Sequence, residues 1–141
     1  MIDAHEIASR LWQGADPPRG RELRSCGVQV LVLCAMEHQR GARDYPGVAV
    51  VHAPMLDIFH VPAGTATRAA AAAAEHYRRG ATVFTACHQG RNRSGLISAL
   101  ILRELGFGDG RECADRVRSR RPGALTNTVF YRWLCGLPAK H

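Results

Sequence analysis

With 141 residues and 46% hydrophobic side chains, the chain is long enough to bury a core and too short for two ordinary domains. No run approaches the roughly eighteen apolar residues of a membrane span, and the first residues lack the order of a signal peptide, so we expect one cytoplasmic domain over residues 1–141. The formal net charge of +7 favours anionic ligands without choosing among phosphoproteins, nucleic acids and lipid headgroups.

Hydrophobic patterns and turn residues predict alternating strands and helices. In chain order these are a strand at 10–13, a helix at 19–25, strands at 28–34 and 48–52, a helix at 65–79, a strand at 82–86, and helices at 94–106, 110–120 and 126–135. The clearest helix is the alanine-rich one, with Thr65 as its cap and Gly80 at its end. The alternation predicts an α/β fold, with a mainly parallel sheet of four to five strands flanked by helices and ligands beyond the carboxyl ends of the strands.

A short loop between the last predicted strand and the next helix carries the chemistry. Cys87 ends the strand, Gly90 allows a bend, and Arg93 stands where the helix begins. Successive backbone N–H groups of such a loop can point inward beside the unsatisfied donors of the helix start, which makes a cradle for a tetrahedral dianion. Arg93 adds a charged, two-pronged donor. The predicted phosphate-binding residues are His88, Gln89, Gly90, Arg91, Asn92 and Arg93.

Cys87 is the candidate nucleophile at the floor of this loop. Positive potential from the helix start and from Arg93 favours the thiolate, which is the reactive form of cysteine. Ser94, one residue past the arginine, can donate a hydrogen bond to the sulfur when the thiolate leaves in a second step. The sequence therefore predicts attack of the Cys87 sulfur on phosphorus.

These residues resemble a known family. Cys87, Arg93 and Ser94 match the Cys-x5-Arg-Ser/Thr signature of the cysteine-dependent protein tyrosine phosphatases, and the rest of the chain looks like their dual-specificity branch. Further matches, which together cover most of the chain, are 11–14, 27–33, Arg121-Pro122, Asn127 and Phe130. One departure is Ala86, where many relatives carry a histidine that helps to hold the thiolate.

The resemblance implies a dual-specificity phosphatase fold, a phosphocysteine intermediate and a general acid, an aspartate on a mobile loop before the nucleophile. Asp57 fits this role because it follows the apolar strand predicted at 48–52. Asp44 and Asp109 are weaker candidates, since both are also typical turn residues. No metal or organic cofactor is implied. We expect a monomer that binds inorganic phosphate or sulfate in its site.

The expected substrate is a phosphorylated protein that carries phosphotyrosine. Because the chain is too short for the elements that build a deep phosphotyrosine slot, we expect a shallow pocket that also accepts phosphoserine and phosphothreonine. Two alternatives stay open: a non-protein substrate, either an RNA 5′-phosphate or a phosphoinositide, and a catalytically weak protein that only binds phosphate. Nucleic acid is expected only as a substrate, since no aromatic residue is interleaved among the arginines of 111–121. A rhodanese-type sulfurtransferase is disfavoured, because its loop is one residue shorter and Asn92 stands where its arginine would be.

The other cysteines and histidines predict no second site. Five cysteines without a Cys-x-x-Cys pair indicate reduced thiols. Cys34 is a conceivable resolving partner if Cys87 oxidises, although a buried structural role is favoured. The seven histidines lack the spacing of a zinc site, so we expect no metal and assign His88 to a backbone or substrate contact.

Overall fold

The computed structural model describes residues 2–140, whose strands form one five-stranded sheet. In chain order they are β1 (Ala4–Ala8), β2 (Leu11–Ala15), β3 (Val30–Ala35), β4 (Ala49–Met55) and β5 (Val83–Cys87). Their order across the sheet is β1-β2-β5-β3-β4, and within this sheet β1 and β2 pair antiparallel while the other neighbours pair parallel. The predicted α/β class and mainly parallel sheet are confirmed.

β1 is the strand that the sequence pattern does not predict. Burial is confined to its end, at Ile7 and Ala8, so it lacks the regular alternation of a half-buried strand. β1 is a strand because its backbone pairs antiparallel with that of β2. The connection between the two strands places Arg10 in the left-handed region at a φ of 64°. The Arg10 guanidinium holds this turn by donating to the carbonyls of Tyr77 and Ala81, each at 2.9 Å.

The helices found among residues 2–140 are α1 (Glu22–Ser25), α2 (Ala63–Arg78), α3 (Arg93–Glu104), α4 (Gly110–Arg120) and α5 (Thr128–Cys135), with a short 3₁₀ helix at Ala42–Asp44. α1 is shorter than the predicted 19–25 because Gly20 has a φ of 105°, which a helix does not allow. The prediction of Thr65 as a cap is wrong. Pro62 occupies the N-cap position, and its carbonyl accepts from the N–H of Ala66 at 2.9 Å. α2 ends just before Gly80, as predicted.

Apolar side chains form a core on each face of the sheet. The larger core joins the sheet to α2, α3, α4 and α5, and the smaller one contains Leu23 of α1. α3 is the most enclosed helix, since every residue from Arg93 to Leu102 is buried. This packing fixes the start of α3 against the central strand β5, where the predicted loop lies. No helix within residues 2–140 is long and apolar enough to cross a membrane.

Candidate active site

Cys87 is the last residue of β5, the central strand of the sheet. Ser94 lies in the first turn of α3, and its Oγ is 3.2 Å from the Cys87 Sγ. Both residues are buried, with 4% of Cys87 and none of Ser94 exposed. The Ser94 hydroxyl, which the sequence predicts to lie beside the nucleophile, is therefore within hydrogen-bonding distance of the Cys87 sulfur.

The backbone of the loop between these two residues is arranged to receive an anion. Its carbonyls accept hydrogen bonds from outside the loop: Gln13 Nε2 donates to Gly90 O at 3.0 Å, and Leu125 N donates to Arg91 O at 3.1 Å. Within residues 2–140, no protein acceptor is found for the backbone N–H groups of 88–92. Because the carbonyls are bound on the outside, these N–H groups form a nest of donors for anionic oxygens.

Gly90 is the residue that permits this loop conformation. Its φ of 70° lies in the left-handed region, where side chains other than glycine are strained. A Cβ atom at this position would also lie 2.3 Å from the carbonyl carbon of Gly14 on β2. The predicted bend at Gly90 thus combines a conformation and a close backbone approach that only glycine satisfies.

Arg121 holds the same loop through its carbonyl groups. Its Nε donates to Gly90 O at 2.7 Å and its Nη2 donates to Gln89 O at 2.8 Å, while its Nη1 pairs with Asp3 Oδ1 at 3.1 Å. Only 4% of Arg121 is exposed. The sequence places Arg121 in a basic run and in the resemblance to the phosphatases, and the structure adds a positioning contact with the loop.

We expect Arg121→Ala to lower the free energy of unfolding by about 2 kcal/mol or more, since each buried group left without its partner costs about 1–3 kcal/mol. Chemical denaturation measures this change. The matched control is Arg120→Ala, which removes the neighbouring exposed arginine and should change stability by less than about 0.5 kcal/mol. Equal stability of the two variants would contradict the anchoring role of Arg121.

Arg93 is oriented by three of its N–H groups. Its Nη1 donates to Glu37 Oε1 at 2.6 Å and to the carbonyl of Met55 at 3.2 Å, and its Nη2 donates to Glu37 Oε2 at 2.9 Å. A guanidinium carries five N–H donors, so the Nε–H and the second N–H of Nη2 remain, without a protein acceptor in residues 2–140. These two donors share one edge of the planar group. An edge of this kind can act as a fork for two oxygens of a phosphate.

Glu37 is a site residue that the sequence reasoning missed. The pKa of its carboxyl is lowered from 4.5 to about 2, chiefly by the hydrogen bonds from Arg93. The pair therefore contributes its full stability above pH 4.5 and loses it only as the pH falls toward 2. The sequence offered one partial signal, because Glu37 follows the strand predicted at 28–34, at the carboxyl end where parallel sheets place their ligands.

We expect Glu37→Gln to lower kcat/KM for an aryl phosphate about tenfold, because the amide cannot accept both hydrogen bonds that orient Arg93. Hydrogen bonds to charged groups contribute about 1.5–3 kcal/mol, and the 47% exposure of the Glu37 side chain places this pair at the lower end. Steady-state kinetics on both proteins measures the change. Glu75→Gln, at a half-exposed glutamate on α2, is the control that should leave kcat/KM unchanged, and an equal rate in the Glu37 variant would contradict the positioning role.

Asp57, the acid predicted from the resemblance, lies just after β4 with its carboxyl held by two side-chain amides. Asn92 Nδ2 donates to its Oδ2 at 2.9 Å, and Asn127 Nδ2 donates to its Oδ1 at 2.7 Å. Asn127 is also the N-cap of α5. These contacts join the segment after β4 that carries Asp57 to the loop of residues 88–92, the predicted phosphate loop, and to the start of α5. The side chain of Asn92, a predicted phosphate-binding residue, contacts Asp57, so only its backbone N–H is available for the predicted role.

The two weaker acid candidates have structural partners elsewhere. Asp109 caps α4, where its Oδ1 accepts from the N–H of Glu112 at 2.8 Å. Asp44 ends the 3₁₀ helix, and its Oδ2 accepts from the N–H of Gly41 at 3.2 Å. Neither aspartate lines the pocket that contains Cys87.

The candidate residues meet in a pocket of about 230 Å³. It is lined by Asp57, Cys87, His88, Gln89, Arg91, Asn92, Arg93 and Thr126. Gly90 is absent from this lining because its carbonyl and Cα lie against β2, and Ser94 lies below the pocket beside the sulfur. Thr126 is a lining residue that the sequence analysis does not name. The structure thus brings the predicted nucleophile, arginine and acid into one site.

No model of a protein family matches the chain, and no curated protein matches it. Solved structures match its fold. A mouse protein described as a dual specificity phosphatase complexed with zinc tungstate gives a TM-score of 0.78 and 24% identity over 96% of this chain and 86% of that chain. A variant of human DUSP28 gives a TM-score of 0.82 and 23% identity, over 96% of this chain and 93% of that chain. A human tyrosine phosphatase-like serine/threonine/tyrosine-interacting protein gives a TM-score of 0.75 and 15% identity, over 96% of this chain and 95% of that chain.

Proposed function

From the dual-specificity phosphatase fold of this chain, we propose that it hydrolyses phosphate monoesters through a phosphocysteine intermediate. One observation carries the proposal: the Cys87 Sγ lies 3.2 Å from the Ser94 Oγ, at the floor of the loop whose N–H groups have no protein acceptor within residues 2–140. A sulfur surrounded by anion donors is positioned to attack the phosphorus of a bound phosphate. The mouse neighbour is complexed with zinc tungstate, and tungstate is a tetrahedral oxyanion, as phosphate is.

In the first step, the thiolate of Cys87 attacks phosphorus, and a sulfur–phosphorus bond forms as the bond to the ester oxygen breaks. Asp57 gives its proton to that oxygen, which leaves as an alcohol or phenol. The loop N–H groups and the Nε edge of Arg93 stabilise the charge on the three remaining phosphoryl oxygens. The product of this step is a phosphocysteine.

In the second step, water attacks the phosphorus of the intermediate. Asp57, now a carboxylate, takes a proton from the water, and the sulfur–phosphorus bond breaks. The hydroxyl of Ser94 donates a hydrogen bond to the departing Cys87 thiolate, which makes it a better leaving group. Water is the only co-reactant, and the products are inorganic phosphate and the dephosphorylated alcohol.

We propose a phosphorylated protein as the substrate, with phosphotyrosine first. The loop that carries Asp57 also exposes apolar side chains beside the pocket, with Phe59 86% and Ile58 41% exposed, and these suit the residues around a phosphorylated side chain in a peptide. Arg91 lines the pocket as a second cation and favours the alternative substrates, an RNA 5′-phosphate or a phosphoinositide, which carry more negative charge.

The departure at Ala86 supports the other alternative, a protein that binds phosphate with negligible turnover. Ala86 packs in the smaller core beside Leu33 and Phe84, so the strand offers no imidazole to the thiolate. A human neighbour with the same fold is called only phosphatase-like. Turnover remains the proposal because Cys87, Arg93 and Asp57 line one pocket.

The test is hydrolysis of p-nitrophenyl phosphate, followed by phosphopeptides, phosphoinositides and 5′-triphosphate RNA at equal concentrations. We expect hydrolysis of the aryl phosphate, competitive inhibition by inorganic phosphate and the highest kcat/KM on phosphotyrosine peptides. A higher kcat/KM on RNA or on a phosphoinositide would contradict the protein substrate and assign the substrate to that class instead. Tight binding of phosphopeptide without hydrolysis of any compound would contradict the enzyme and support the phosphate-binding alternative.

A further inference from the structure

Three potential metal ligands converge beside the pocket. Glu37 and His38 follow β3, and His88 follows the nucleophile in the phosphate loop; one ligand atom from each lies within 4.8 Å of the others. His38 and His88 are 50 positions apart in the chain, so no spacing motif predicts this cluster. The sequence expectation that histidines play no metal-binding role rests on linear spacing alone.

The two imidazoles are already arranged as a pair. The His38 Nε2 lies 3.0 Å from the His88 Nδ1, and the two rings meet edge to edge, with centroids 5.2 Å apart and planes at 12°. A tetrahedral Zn²⁺ ion with bonds of about 2.0–2.1 Å holds two ligand nitrogens roughly 3.3 Å apart. In the hydrogen-bonded pair one of the facing nitrogens carries a lone pair, and a change of tautomer at the other supplies the second. To admit the metal, the gap must widen by about 0.3 Å and each ring must turn by roughly 35°, so that the two lone pairs converge on the ion instead of pointing along the line between the nitrogens.

Asp16 stands at the ring nitrogen of His38 that the metal would not use. Its Oδ2 lies 3.7 Å from the His38 Nδ1, and Arg40 Nη1 holds the same oxygen at 2.8 Å. The other carboxylate oxygen, Oδ1, is buried without a hydrogen-bond partner among residues 2–140. The 3.7 Å between Asp16 and His38 is the distance of an ion pair and not of a hydrogen bond, so His38 must move slightly toward Asp16 before the carboxylate can orient it as carboxylates orient imidazole ligands in zinc sites.

We propose that Glu37, His38 and His88 bind Zn²⁺ and that this binding inhibits the phosphatase. Two imidazoles and a carboxylate are the donors that Zn²⁺ takes in three-ligand sites, with a fourth position left for water. The proposed inhibition rests on the proposed function, because its target is the orientation of Arg93.

Inhibition follows from the sharing of Glu37. Its two oxygens accept the hydrogen bonds that orient Arg93, at 2.6 and 2.9 Å. A Zn²⁺ ion bound to the same carboxylate competes with Arg93 for these lone pairs and draws the His88 side chain out of the pocket that it lines. The Nε edge of Arg93 then loses the support that aims it at phosphate, and turnover falls.

The binding test uses Cys87→Ser as its background, because a thiolate is itself a zinc ligand. Zn²⁺ affinity is measured by competition with a chromophoric chelator. We expect Cys87→Ser to bind one Zn²⁺ per chain, the added substitution His38→Asn to weaken that binding at least about tenfold, and the added substitution His76→Asn, at a histidine on α2 outside the cluster, to leave it unchanged. Circular dichroism confirms that each variant is folded. Equal affinity in the His38 and His76 variants would overturn the site.

The activity test compares zinc inhibition of p-nitrophenyl phosphate hydrolysis in the wild type and in His38→Asn. We expect both to have the same rate in the presence of a chelator, and the variant to need at least about tenfold more Zn²⁺ for half inhibition. Inhibition at the same Zn²⁺ concentration in both would overturn the regulatory role. Absence of hydrolysis by the wild type would overturn the proposed function and the inhibition with it, whereas the binding test decides the metal site independently of any activity.

Discussion

Replacing Cys87 by serine is expected to lower turnover of an aryl phosphate at least about 10⁴-fold, because loss of a covalent nucleophile removes the pathway rather than one contact within it. Serine occupies nearly the same volume, and its hydroxyl is a far weaker nucleophile than a thiolate. The loop N–H groups and the Nε edge of Arg93 are untouched, so the affinity for a phosphopeptide should stay within a few-fold of the wild type. Stopped assays and isothermal calorimetry on the same protein separate the two effects.

The control for this prediction is Cys26→Ser, which changes an exposed thiol outside the pocket and should leave turnover unchanged. If turnover survives in the Cys87 variant, the reaction does not pass through that sulfur. If phosphopeptide binding disappears together with turnover, Cys87 contributes to the shape of the loop, and the catalytic interpretation of the lost rate would have to be withdrawn.

Replacing Asp57 by asparagine is expected to lower the rate on an alkyl phosphate by about 10²–10⁴, the usual contribution of a general acid. An alkoxide is a poor leaving group and needs the proton, whereas p-nitrophenolate leaves readily without one. The loss on p-nitrophenyl phosphate should therefore be much smaller. The ratio of the two losses, measured in parallel assays, identifies proton donation because a structural defect would lower both rates alike.

Asp109→Asn is the matched control for the acid, since asparagine caps a helix as well as aspartate and α4 keeps its start. Asp44→Asn tests the other candidate considered from the sequence. Both variants should retain the wild-type dependence on the leaving group. If the dependence of the rate on the leaving group is unchanged in the Asp57 variant and altered in either control, the general acid is the aspartate replaced in that control.

The candidate site was predictable where its geometry is local. Cys87, Arg93 and Ser94 belong to one strand–loop–helix segment, and their spacing alone places donors, arginine and hydroxyl around the sulfur. Glu37 reaches Arg93 from 56 positions away, and Arg121 reaches Gly90 from 31. Those contacts depend on β3 lying beside β5 and on the return of the chain after α4, which no local pattern indicates.

The fold was predictable to the same extent. Apolar runs and the alanine-rich helix indicate their elements directly, because burial and propensity act over a few residues. β1 depends on pairing with β2, and the starts of α1 and α2 depend on the backbone angles of Gly20 and Pro62. Asp57 was found through the resemblance to the phosphatases, and its contacts with Asn92 and Asn127 required the structure.

The most direct test of a phosphocysteine mechanism is to quench wild-type protein with acid during turnover of an aryl phosphate and locate the covalent phosphoryl group by mass spectrometry. The mechanism predicts one phosphoryl group on the peptide that contains Cys87 and none on that peptide from Cys87→Ser. Turnover at full rate with no phosphoryl group on Cys87 at any quench time, or with the group on another residue, would contradict it.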